Sequence, residues 1–212
     1  MKRKLHYQIT EYDCGTTCLL NALLFLSERE KIPIQLLKII YQYTLDDFDD
    51  TGNMGNMGTS RKAMFHVSYL INQFYQYHNF PIKVVYFQNK EVTFSKIKKI
   101  LKQKGCVILR TKLEGEHYIL LTDIDDDFIY AFDPYFMIQS EIENPNIIVT
   151  QNNFNNRKIR ISYFKNEKKD FTLGEKINRE MIVFIPIEKW NKTWYIFNEV
   201  SLWKSIKEEL FL

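Results

Sequence analysis

Four side chains in this 212-residue sequence have the types and order needed to break an acyl bond: Gln8, Cys14, His117 and Asp133. Cys14 sits in the run Gln-Ile-Thr-Glu-Tyr-Asp-Cys-Gly-Thr-Thr-Cys, residues 8–18. A polar, extended stretch precedes it. Residues 19–26, Leu-Leu-Asn-Ala-Leu-Leu-Phe-Leu, follow and are apolar on nearly every face. A helix that is apolar all round is a buried helix, so Cys14 is expected at the N-terminus of a central helix. Free backbone N–H groups and the positive end of the dipole favour negative charge on a sulfur there. Asp13 next door works against that charge. Gly15 lets substrate or backbone come close. Gln8, six residues before Cys14, can offer a side-chain N–H to an oxyanion that forms beside the sulfur.

His117 opens one expected strand and Asp133 lies near the end of the next. If residues 125–127 form a three-residue hairpin loop, Ile124 pairs with Phe128. Asp133 then faces Ile119, and His117 becomes its diagonal neighbour on the same face of the sheet. Such neighbours are roughly 7–8 Å apart at the backbone, within reach of long side chains. A two-residue loop would send the two to opposite faces. A carboxylate on one ring nitrogen fixes the tautomer and orientation of the other. With that other nitrogen against Cys14, the histidine makes the thiolate, the sulfur attacks a carbonyl, and the proton returns to the leaving group. Taken singly, each residue has a plainer reading: an inert buried thiol, a solvated glutamine, a strand-end histidine, a turn-starting Asp-Pro. The four in this order favour catalysis.

Gln8, the run Asp13-Cys14-Gly15-Thr16-Thr17-Cys18, the run Glu116-His117-Tyr118 and Asp133-Pro134 resemble the C39-like cysteine peptidases of the papain-like superfamily. The resemblance covers about residues 5–136. It implies an α+β, papain-like fold, with the cysteine on a central helix packed on an antiparallel sheet. It implies Cys14 as nucleophile, His117 as general base and acid, Asp133 as the orienting residue and Gln8 as oxyanion donor. It also implies a peptide or protein substrate and no cofactor. Thr17 stands where many members of the family have Ala. The best-known members are transporter domains that remove double-glycine leaders, and this sequence carries neither a transporter span nor a GxxxxGK[ST] motif. Two other readings remain: an acyl or amide transferase with the same thiol chemistry, and a catalytically silent relative that binds peptides.

The elements that must position these residues are legible as periodicities. Pro33 fits the first position of a helix over residues 34–43. Residues 46–58 are an Asp- and Gly-rich loop holding three of the seven glycines. Its spacing is not that of an EF-hand. It is expected to line the site and to favour basic or polar substrate residues through Asp46, Asp47, Asp49 and Asp50, or else to be a remote solvated loop. Thr59 or Ser60 caps a helix reaching Tyr77, followed by a strand over residues 80–87. Thr93 or Ser95 caps a short helix to Lys104, closed by Gly105. Strands are expected at residues 106–113, 116–124, 128–135 and 181–187. Residues 144–169 read as irregular, with one strand near residues 159–164, and residues 202–211 as a terminal amphipathic helix. His66 and His78 have no evident partner. There is no internal repeat, and residues 1–212 read as a single domain.

Composition excludes several classes. The net charge of +3 is too small for a nucleic-acid surface. Three cysteines, Cys14, Cys18 and Cys106, are not a disulfide framework, and without a histidine cluster they do not suggest zinc. No apolar run reaches membrane-spanning length. The basic start followed by residues 19–26 lacks a small-residue cleavage site, so a cytoplasmic protein is expected. Oligomeric state is not legible.

Overall fold

The computed structural model describes residues 4–27 and 31–187; the helix expected over residues 202–211 lies outside them. Seven strands form one sheet: β1 (Ile82–Gln88), β2 (Cys106–Leu113), β3 (Gly115–Ile124), β4 (Phe128–Phe132), β5 (Ile147–Val149), β6 (Arg157–Arg160) and β7 (Glu180–Pro186). Their order is β1-β7-β2-β3-β4-β6-β5, and every pairing is antiparallel. The central strands alternate between two apolar faces, as strands buried on both sides do.

On one face lie three helices, α1 (Cys14–Leu26), α2 (Ile34–Tyr43) and α3 (Arg61–His78). Leu19 and Leu23, Leu36 and Ile40, and Met64, Val67 and Ile71 pack there on Cys106, Ile108, Leu120 and Phe184. On the other face α4 (Phe94–Lys102) and the helical turn α5 (Ile161–Phe164) cover Val107, Leu109, Ile119, Leu121 and Val183. The α+β arrangement expected from the sequence is the one observed, with a buried central helix on an antiparallel sheet.

Local chemistry fixes the helix ends. Ser60, rather than Thr59, caps α3 by accepting a hydrogen bond from Ala63 N, and Asn79 ends it in the left-handed region. Thr93 caps α4 through Lys96 N. Pro33 is the N-cap of α2, one position earlier than expected. After α4 it is Lys104 that turns left-handed, at φ 65°. Gly105 answers a different need, since a Cβ there would sit 2.8 Å from Phe184 O.

Three expectations are corrected. Residues 144–169 contain two strands, β5 and β6, paired with each other in register Ile147 with Ile159. Residues 161–164, expected as part of a strand, instead form α5. The chain also turns from β3 to β4 with Ile124 opposite Ile129, not Phe128. Asp125 closes that turn by accepting from the backbone N–H groups of Asp127 and Phe128 and from the Tyr130 hydroxyl.

Candidate active site

The offset at the turn does not reach Asp133. The ladder runs Ile124 with Ile129 and Asp123 with Tyr130, then shifts at Thr122, and resumes as Leu121 with Ala131 and Leu120 with Phe132. One extra residue in the loop is cancelled by one extra residue in β3, a β-bulge. Continued by one residue, the register puts Asp133 opposite Ile119, the relationship read from the sequence. Without the bulge Asp133 would face Leu120 and its side chain would turn to the other side of the sheet.

His117 Nε2 lies 2.8 Å from Asp133 Oδ1. A carboxylate only accepts, so this nitrogen carries the proton and donates it. The Cys14 thiol lies close enough to act on the same ring electrostatically, and Nδ1 is the nitrogen that Asp133 leaves available to it. All three side chains are buried, Asp133 completely. Burial acts to lower the pKa of His117. The hydrogen bonds and charges of Asp133 and Cys14 outweigh it and raise the value to about 9. The structure thus gathers three of the four sequence-read residues, Cys14, His117 and Asp133, in one buried cluster whose groups act on one another.

Cys14 is the first residue of α1, and no side chain caps that helix. The Asp13 carboxylate turns backward instead. It accepts from Ile9 N, Thr10 N and Thr10 Oγ1, and from Thr17 Oγ1 on the next turn. Burial works to raise the Asp13 pKa, but these hydrogen bonds prevail and lower it. Thr17 is therefore tied to the residue that precedes Cys14. Gly15 has no room for a side chain: a Cβ would meet Thr59 Cβ at 3.1 Å and the Tyr118 ring at 3.3 Å.

Gln8 is held beside the site by its backbone, Gln8 N donating to Pro134 O at 3.0 Å. Its side-chain Nε2 donates to Thr10 O at 2.7 Å. Its Oε1 is buried without a partner among the described residues.

Sequence reasoning missed the support behind Asp133. Arg157, on β6, is 1% exposed. Its Nη2 lies 3.1 Å from Asp133 Oδ2 and also donates to Tyr135 O. Asn156 binds the Asp133 backbone in both directions, accepting from its N–H and donating to its carbonyl, each at 2.7 Å. A second buried network was also missed. Glu180 takes hydrogen bonds from Tyr118 Oη at 3.0 Å and Arg61 Nε at 3.2 Å, fixing the tyrosine that packs against Gly15.

Cys18 and Cys106 are fully buried, and burial pushes both thiols well above their ordinary value. Cys18 donates to Tyr118 O. His66 meets Tyr43 edge-on and His78 stacks on Phe74, so both have aromatic partners. Among the described residues no group of three or more His, Cys, Asp and Glu side chains is arranged to hold a metal. No described helix is long and apolar enough to cross a membrane.

The loop over residues 46–58 ends against the site. A Cβ on Gly58 would lie 3.1 Å from Tyr12 O. Three of its four aspartates accept hydrogen bonds, Asp47 taking one from Phe48 N. Asp46 accepts from Ser60 N and Oγ, and Asp49 accepts from Thr51, Asn53 and Asn56.

No protein-family model matches the sequence and no curated protein matches it. Solved structures do. The fold is similar to that of a C39-like peptidase from Bacillus anthracis, at 15% identity and TM-score 0.48, over 87% of this chain and 94% of that one. The peptidase domain of Streptococcus ComA, a bifunctional ABC transporter of a quorum-sensing pathway, matches at 12% identity and TM-score 0.44, over 87% and 98%. A double-glycine-motif protease from an AMS/PCAT transporter, solved with its leader peptide, matches at 13% identity and TM-score 0.40, over 87% and 94%.

Proposed function

We propose that this protein is a cysteine peptidase-type hydrolase that cleaves peptide amide bonds through Cys14, His117 and Asp133. The observation that carries the reading is the buried His117 ring, held at Nε2 by Asp133 at 2.8 Å and within electrostatic reach of the Cys14 thiol. His117 takes the thiol proton, and Asp133 balances the imidazolium that results. The sulfur then adds to the substrate carbonyl. The oxyanion develops at the start of α1, where no side chain occupies the first-turn N–H groups. Gln8 adds a further donor through the hydrogen on Nε2 that is not directed at Thr10 O. His117 returns the proton to the departing amine, and water, activated by the same histidine, releases the acyl group from Cys14.

The same arrangement serves acyl or amide transfer, in which an amine replaces water in the second half-reaction. A silent peptide-binding relative has no use for a buried imidazole oriented by a buried carboxylate.

The test is intact-protein and peptide mass spectrometry after brief exposure to iodoacetamide and, separately, to p-nitrophenyl acetate. Selective modification of Cys14 ahead of Cys18 and Cys106, lost in His117→Ala, is the expected result. Acetyl-Cys14 that decays in water alone favours the hydrolase. Decay only on adding an amine favours the transferase. Equal or absent labelling of the three thiols rejects the catalytic reading.

A further inference from the structure

We propose that Arg157 is a positioning residue of this site: it holds the Asp133 carboxylate so that one oxygen is fixed and the other is presented to His117. The inference rests on the catalytic reading above and deepens it. Asp133 uses its two oxygens separately. Oδ1 faces His117 Nε2 at 2.8 Å and accepts from Tyr135 N at 2.9 Å. Oδ2 faces Arg157 Nη2 at 3.1 Å. A carboxylate with no exposed surface needs a countercharge, because a buried ion without a partner is costly. Its charge also acts on His117 on β3 and on the Cys18 thiol on α1, and neither is a permanent cation. Arg157 is one, since guanidinium keeps its proton throughout the accessible pH range.

The guanidinium is itself held. Nη1 donates to Asn156 O at 3.0 Å and Nη2 to Tyr135 O at 3.2 Å. Asn156, its neighbour, pairs with the backbone of Asp133 in both directions. Residues 156–157 therefore hold Asp133 twice, by its main chain and by Oδ2. The torsion that aims Oδ1 at the imidazole has no remaining freedom. This gives residues 156–157, from the stretch that resembles nothing by motif, a part in the chemistry without touching substrate.

The test is the iodoacetamide alkylation rate of Cys14 in the full chain, measured against pH for wild type, Arg157→Met, Arg157→Gln and Arg157→Lys. Circular dichroism checks that each is folded. Losing the guanidinium lets the Asp133 carboxylate turn from the ring, and an imidazolium without an aimed carboxylate forms less readily, so Met and Gln are expected to move the acid-side midpoint up by about one pH unit, a tenfold rate change at fixed acid pH. Lys, which keeps the charge but not the fork, is expected to restore the midpoint. Gln can still donate to Oδ2, and keeps the test readable if Met does not fold. A midpoint that stays put or falls in folded Gln or Met variants overturns the positioning role, as does a Lys variant that behaves like Gln. Failure of the catalytic reading looks different: the wild-type profile itself is then indifferent to His117→Ala.

Discussion

Asp133 and Arg157 meet in the interior 3.1 Å apart, with side chains 0% and 1% exposed. The pair joins two halves of the chain that sequence inspection treats differently. Asp133 ends a hairpin that can be counted out residue by residue. Arg157 arrives after a long Asn-rich excursion whose return as β6 depends on pairing with β4, a non-local choice that no periodicity announces.

The pH dependence of stability should expose the His117 contacts. Its pKa rises from an ordinary 6.5 to about 9 on folding, so the folded state holds the proton more tightly. The stabilisation is fully present below about pH 6.5 and is lost as pH rises through about 9. At 1.36 kcal/mol per unit it is on the order of 3 kcal/mol. Denaturant unfolding of wild type and His117→Gln should show the gap between them narrowing from about pH 6 to about pH 10. A gap independent of pH would remove the basis for a tightly held proton.

Gln8 gives a kinetic prediction. An oxyanion donor matters when a carbonyl is attacked and not when sulfur displaces iodide. Gln8→Ala should therefore slow acetylation of Cys14 by p-nitrophenyl acetate by about 10²–10³-fold, and leave iodoacetamide alkylation within about twofold of wild type. Equal loss in both reactions would mean that Gln8 serves the local structure, through Thr10 and Pro134, and not the oxyanion.

The turn and the bulge can be separated by two changes. Asp125→Ala removes the acceptor for two backbone N–H groups and the Tyr130 hydroxyl, at a cost of about 1 kcal/mol. It should let Tyr130 fall from about 12 toward ~10 in a UV titration, while Cys14 alkylation keeps its dependence on His117. Deleting Thr122 instead removes the bulge and shifts the register at Asp133 by one residue. That dependence should then vanish. If the deletion variant folds and still alkylates like wild type, the bulge is not what sets the face of Asp133.

That bulge reconciles the two loop lengths. A three-residue loop predicts Asp133 opposite Ile119, and Ile124 and Ile129 enclose four residues. The shift at Thr122 subtracts the one extra residue, so the register beyond it is the same. Cys14 was legible because an apolar helix and a polar approach must meet somewhere, and they meet at that residue. Arg157 and Asn156 were not legible because a buried arginine resembles a surface one until its partner is known. Glu180 was hidden in the same way, as a charge at the end of an apolar strand whose ligands, Tyr118 and Arg61, lie 62 and 119 residues away.

The loop over residues 46–58 allows a comparison between two glycines under similar backbone constraint. Gly55 has φ +89° and Gly58 has φ +81°, so alanine at either is strained by roughly 1 kcal/mol. Their surroundings differ. A Cβ at Gly55 meets Leu45 at an ordinary 3.5 Å, whereas at Gly58 it presses on Tyr12 O at 3.1 Å. Tyr12 lies two residues before Cys14, so movement there is transmitted to the start of α1. Both Gly55→Ala and Gly58→Ala should lower the melting temperature by a similar amount, and only Gly58→Ala should also slow alkylation of Cys14. Replacing Asp47 and Asp50, whose carboxylates are less occupied than those of Asp46 and Asp49, then asks whether the loop reads substrate charge. If Gly58→Ala loses stability but labels Cys14 at the wild-type rate, the loop ends near the site without acting on it.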